Sequence, residues 1–167
     1  MIMEHIEQPP AKHDKQEFPK GKEGLVFCKT CNAVYYKKSW HHNLNMHNDL
    51  REDTKVTFAF CPACQMIKDR QFEGEINIYD IPEKFREDLM NLIHAFTQRA
   101  YDRDPMHRLI EIKKTRGSLR VTTTENQLAV KLAKKIKDSF KKTSVEISYA
   151  RPPLETAHIK IKFSSGK

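Results

Sequence analysis

Four cysteines stand in two C-x-x-C pairs, Cys28-Lys-Thr-Cys31 and Cys61-Pro-Ala-Cys64, and the chain has no others. Thiolates spaced this way share one tight turn and grip one side of a tetrahedral ion, with metal–sulfur bonds of about 2.3 Å. Two such pairs, with residues 32–60 between them, make one four-thiolate site. Four protein ligands leave no open position for a reactive water. The chemistry expected of Cys28, Cys31, Cys61 and Cys64 is therefore the binding of one structural Zn2+. Iron suits the same soft ligands. A thioredoxin-like redox couple accounts for one pair but not for two. His41, His42 and His47 are rival ligands, although histidines in a polar loop are ordinarily just exposed.

A second kind of chemistry surrounds the cysteines. Aromatic and cationic residues interleave at Lys29, Tyr35, Tyr36, Lys37, Lys38, Trp40, His41 and His42. That mixture can stack on unpaired bases and neutralise phosphates together. Trp40 has two readings of equal standing, a lid on a small core or a base-stacking platform. Lys68 and Arg70 follow the second pair, and Arg116 and Arg120 belong to a hairpin. Lys131, Lys134 and Lys135, with Lys137, Lys141 and Lys142, cover the polar side of a helix. Lysines are point charges suited to phosphates and carry little sequence information. The candidate RNA-binding set is thus Lys37, Lys38, Trp40, His41, Lys68, Arg70, Arg116, Arg120, Lys131, Lys134 and Lys135.

The formal net charge is +8. Residues 125–167 hold ten basic and four acidic residues, so six of the eight excess charges fall in the last quarter. Such an excess suits a polyanion, RNA being the commonest inside cells, while its plainer meaning is a solvated lysine-rich helix face. Thr122-Thr123-Thr124 reads as a strand end and helix cap rather than as a catalytic hydroxyl. Asp102, Asp104 and His107 sit at a helix end before Pro105, where polar residues are ordinary. No glycine-rich phosphate loop or nucleophile elbow is present, and an enzyme is not expected.

The elements that must position these groups fall into two parts. Residues 1–24 read as a disordered tail, rich in proline and poor in patterned apolar residues. Within 25–73, Leu25–Phe27 and Ala33–Tyr36 form a hairpin with Cys28 and Cys31 at its turn, and Val56–Phe60 leads into a second cysteine-bearing turn. From 74 to 167 the pattern changes. Glu75–Tyr79 reads as a strand, and Phe85, Leu89, Leu92, Ile93, Phe96 and Ala100 recur at helical spacing. A hairpin turns at Thr115-Arg-Gly-Ser118. A second amphipathic helix carries Leu128, Leu132, Ile136 and Phe140, and two alternating strands end the chain. Asp80–Glu83 and Thr124–Gln127 have the form of capping boxes. The expected architecture is α+β: a four-cysteine zinc ribbon followed by a ferredoxin-like β-α-β-β-α-β-β domain.

Phe27-Cys-Lys-Thr-Cys31, Phe60-Cys-Pro-Ala-Cys64 with Ile67-Lys-Asp-Arg70, and Val121-Thr-Thr-Thr124 with Leu128-Ala129 resemble a family of short prokaryotic zinc-ribbon proteins. That family is similar to the N-terminal region of the large-ribosomal-subunit export adaptor of the nonsense-mediated-decay-three type. The resemblance spans roughly Leu25 to Phe163. It implies binding to the ribosome or ribosomal RNA, the large subunit favoured, without catalysis, and it supports the four cysteines as metal ligands. The chain lacks further C-x-x-C pairs and a long C-terminal shuttling tail, so a factor in assembly, hibernation or stress fits better than nuclear export. A cytoplasmic location is expected, with no membrane and no small-molecule substrate. The alternative is a zinc-dependent protein–protein adaptor or regulator.

Overall fold

The computed structural model describes residues 24–47 and 54–165; the expected tail, Gly24 apart, lies outside them. The chain folds as mixed α+β, with two sheets and three α-helices among the described residues. The first sheet is built from β1 (Leu25–Cys28), β2 (Val34–Tyr36), β3 (Ser39–His41) and β4 (Val56–Ala59), in the order β3-β2-β1-β4. β1 and β2 form the expected hairpin, but β4 joins β1 in parallel, with Phe27 opposite Phe58. α1 (Pro62–Lys68) follows at once.

The second sheet contains β5 (Gly74–Tyr79), β6 (Leu109–Thr115), β7 (Ser118–Thr123), β8 (Thr143–Tyr149) and β9 (Ala157–Phe163). α2 (Arg86–Arg103) connects β5 to β6, and α3 (Asn126–Ser139) connects β7 to β8. The order β6-β7-β5-β9-β8 makes both connections split βαβ units, because each joins parallel strands with others between them. The final strand enters the interior of the sheet, parallel to β5 and antiparallel to β8. Its pattern explains the placement: Ala157, Ile159, Ile161 and Phe163 are all buried, as an interior strand requires. α3 lies across β7, β5, β9 and β8, and α2 packs beside α3.

The main core joins Ile76 and Ile78 of β5, Leu89 and Ile93 of α2, Leu132 and Ile136 of α3, and Ile159 and Ile161 of β9. A smaller core holds Val26, Ala33, Tyr35, Trp40 and Ala63 with two cysteines. Met106, from the segment between α2 and β6, belongs to this second core. The boundary expected at residue 73 is therefore crossed by packing.

Neither capping box forms as expected. Asp80 takes a left-handed φ of 55° and faces Lys162 at 3.5 Å, and a single 3-10 turn, Glu83–Phe85, starts behind Pro82 without a side-chain cap. Ahead of α3 the cap position is Glu125; the Thr124 hydroxyl instead donates to the Met106 carbonyl at 2.6 Å and accepts from the Arg108 amide at 2.9 Å. Thr124 is buried, and a loop whose backbone needs partners outcompetes the helix end for its one hydroxyl.

On the sheet face opposite α3, Glu75 is clasped by Arg120, at 2.5 and 2.7 Å, and by His158 at 3.3 Å. Burial works to raise the Glu75 carboxyl, but those two partners and Asn77 hold it below the usual range. Glu75→Gln is expected to cost about 1–3 kcal/mol at neutral pH. The sign follows from the depressed pKa. The carboxylate contributes above its unfolded value of about 4.3 and ceases to contribute as the pH falls through its lower folded value. The stability gap between wild type and Glu75→Gln in urea titrations should thus close on acidification.

Candidate metal centre

The first cysteine pair is placed by the β1–β2 turn. The Cys28 amide donates to the Ala33 carbonyl at 2.8 Å, and Asn32 adopts a φ of 63°, a left-handed conformation that asparagine tolerates well. The second pair is not on a hairpin turn, which corrects the ribbon expected from the sequence. Cys61 is the N-cap of α1, Pro62 occupies the first turn, and Cys64 lies within the helix. The reason is local. Cys-Pro-x-Cys puts a cap residue before a proline pre-set for a helix start, and the Cys61 sulfur accepts from the Cys64 amide at 3.4 Å.

The four sulfur atoms lie within 4.8 Å of one another. The Cys31 and Cys61 sulfurs are 3.7 Å apart. A tetrahedron with bonds of about 2.3 Å has edges of roughly 3.8 Å, so this spacing fits one four-coordinate ion. The two halves are tied together: the Cys61 amide donates to the Cys28 sulfur at 3.3 Å, and the Lys29 amide donates to the Ala59 carbonyl at 3.0 Å. Burial works to raise the Cys28 thiol, but the amides of Cys31, Cys61 and Thr30 and the Thr30 hydroxyl converge on it and bring it down to about 5. Burial pushes the Cys31 and Cys61 thiols up. A neighbouring dication reverses that penalty by favouring all four thiolates.

The larger part of the molecule reaches into this site. Arg108, just ahead of β6, places a guanidinium nitrogen 3.8 Å from the Cys64 sulfur and packs its head over the Tyr101 ring at 5.0 Å. The His42 ring nitrogen donates to the Tyr101 carbonyl at 2.5 Å, and its ring meets Tyr101 edge-on. A cation beside the sulfurs offsets the double negative charge of a four-thiolate site and orients Cys64. Sequence reasoning missed Arg108, Tyr101 and Met106, and no local pattern marks them. Their roles come from the fold bringing the segment between α2 and β6 against the metal centre.

The histidine rivals stand elsewhere. His41 bonds to the Tyr36 carbonyl at 3.1 Å and the Ser39 hydroxyl at 3.0 Å, and its ring meets His47 at 4.8 Å. The one group of possible metal ligands among the described residues consists of the four cysteines. The chain matches no protein-family model, no curated protein and no solved structure.

The RNA-contacting candidates come from separate elements, and not all of them reach the surface. Trp40 is 5% exposed and packs on Tyr35 at 5.4 Å, so the lid reading holds and base stacking by this ring does not. Lys37 and Lys38 are exposed in the β2–β3 turn, both at positive φ. Lys68 is exposed at the end of α1 with its ammonium 4.6 Å from the Phe60 ring, and Arg70 is exposed just beyond. Arg116 is exposed in the β6–β7 turn, whereas Arg120 is engaged by Glu75 and stacked on Phe72 at 5.0 Å. Lys131, Lys134 and Lys135 are exposed on α3, opposite Leu128, Leu132 and Ile136. Sequence reasoning also passed over Phe58, which is 67% exposed. The alternation Val56, Phe58, Phe60 carried the signal.

Proposed function

We propose that this chain is a non-catalytic, zinc-holding protein that binds ribosomal RNA or the ribosome, on the large subunit by the sequence resemblance, as an assembly, hibernation or stress factor in the cytoplasm. The observation that carries the reading is α3. Lys131, Lys134 and Lys135 project from a helix whose other side is locked into the core, and none of the three makes an ion pair among the described residues. Exposed lysines on a fixed helix, held in no ion pair, suit a phosphate backbone. The metal would be zinc, held by Cys28, Cys31, Cys61 and Cys64, and its closed tetrahedron supports a structural rather than a hydrolytic role.

Sedimentation on sucrose gradients tests the proposal. The tagged protein is expected to travel with large subunits at low salt and to leave them as salt rises, since each phosphate contact adds to the salt dependence. Reversing Lys131, Lys134 and Lys135 to glutamate should weaken association at least about tenfold. A protein that stays at the top of the gradient at low salt rules the reading out. A second reading, a protein–protein adaptor, is favoured by the apolar side chains exposed on the edge strand β4. It predicts that the triple reversal leaves partner binding intact.

A further inference from the structure

β1 and β4 run parallel with Phe27 opposite Phe58, so side-chain alternation sorts their residues into two faces. Val26, Cys28, Ala59 and Cys61 point toward the small core and the metal centre. The other face carries the buried Leu25, then Phe27 and Lys29, and alongside them Val56, Phe58 and Phe60. Phe58 is 67% exposed and Val56 46%, the two neighbouring large apolar side chains that this face leaves to solvent. Phe27 lies beside Phe58 on the paired strand, with tilted rings whose centroids are 6.1 Å apart. Phe60 is flanked by two cations, the Lys68 ammonium at 4.6 Å from the ring centroid and that of Lys29 at 5.6 Å.

An exposed aromatic costs solubility and invites aggregation, above all on an edge strand. Here a second ring, Phe27, lies beside it on the paired strand, and the lysines sit over Phe60, two residues along the chain. Flat apolar surface beside positive charge matches a nucleotide with its base unstacked: the base covers the ring, and the flanking phosphates meet the ammonium groups. A paired duplex cannot use the ring, because its bases are already stacked.

We propose that Phe58, with Phe27 beside it across the strands and Phe60 with its two lysines next along the chain, is a stacking site for an unpaired base of single-stranded RNA. The site rests on the RNA-binding reading above and gives it a substrate class: the lysine face of α3 takes backbone of any shape, and Phe58 selects segments with free bases. It is separate from α3 in sequence and in fold, and it replaces Trp40, which is buried, as the aromatic reader.

The test uses the full chain loaded with zinc and two labelled probes, a twelve-nucleotide uridine-rich single strand and a duplex of the same length, followed by fluorescence anisotropy. Phe58→Ala is expected to weaken single-strand binding about tenfold or more and to leave duplex binding unchanged. Phe58→Trp should preserve the affinity, and the added indole should be quenched by the single strand. Since Phe58 is exposed, neither change should disturb folding, and unchanged urea midpoints would check that. If wild type and Phe58→Ala bind the single strand equally, the stacking site is wrong and the RNA reading survives. If Phe58→Ala weakens both probes alike, stacking is again ruled out. If the wild type binds neither probe, the RNA reading itself falls and takes the site with it. A Phe58→Ala protein that binds free RNA normally but no longer sediments with purified large subunits would assign the patch to a protein contact and overturn the proposal.

Discussion

Stripping the metal is expected to unfold one part of the molecule and spare the other. The small core around Cys28 and Cys61 contains few large side chains besides Val26, Tyr35, Trp40 and Met106. A core of that size does not offset the chain entropy it must overcome. Structural zinc in small modules supplies an apparent 10–16 kcal/mol at neutral pH, roughly the whole of a domain's stability. The main core is apolar throughout and includes no cysteine. A strong chelator should therefore erase the dispersed amide signals of β1–β4 and α1 while leaving those of β5–β9, α2 and α3 largely in place. Elemental analysis of the purified protein should find one zinc per chain, and replacing all four cysteines with serine should reproduce the chelated spectrum. Acidification should act in the same direction, because binding needs the Cys31 and Cys61 thiols, which burial pushes up, to lose their protons. A chain that carries no stoichiometric metal, or whose spectrum survives the four serines, would show that the sulfur cluster does not hold the fold.

The second large effect is expected at Gly74, the first residue of β5. A methyl group there would come within 2.3 Å of the Thr123 hydroxyl, 2.4 Å of the Ala129 methyl and 3.0 Å of the Glu125 carbonyl. The strand is paired on both sides, to Thr123 on β7 and Ala157 on β9, and α3 presses on it from above. None of these neighbours is the loose end of a long side chain, so the helix or the strand must move. Overpacking of this kind costs about 1–3 kcal/mol and sometimes more. Gly74→Ala should sit at the upper end of that range in urea unfolding, and Gly74→Val should lower soluble yield. Adding Ala129→Gly removes one of the three obstacles, so the double variant should recover part of the loss despite a helix penalty of about 1 kcal/mol. Should Gly74→Ala match wild type within experimental error, the close packing of α3 on β5 would be refuted.

Periodic residues made much of this molecule readable in advance. The spacing of Leu89, Ile93 and Ala100, and of Leu128, Leu132 and Ile136, follows one side of a helix, and those residues line the buried sides of α2 and α3. The alternation in Ile159, Ile161 and Phe163 likewise gave β9. Local turn chemistry was less legible. Thr124 has the sequence context of a cap, yet its hydroxyl goes to the Met106–Arg108 loop, a partner remote in sequence. The Cys61 pair looked like a mirror of the Cys28 pair, when Pro62 makes it a helix start.

Cysteine type and spacing were enough to name the four sulfurs, because ligand geometry at a small ion is nearly independent of what surrounds it. Strand order could not be read that way. β4 joins β1 in parallel and β9 slips between β5 and β8, and each pairing depends on segments far apart in the chain. The same holds for which aromatic meets solvent. Trp40 and Phe58 both sit in short strands with cationic neighbours, and the fold buries the first and exposes the second. Burial is a property of the assembled sheet, set by what lies on its other side, and no single stretch of residues records it.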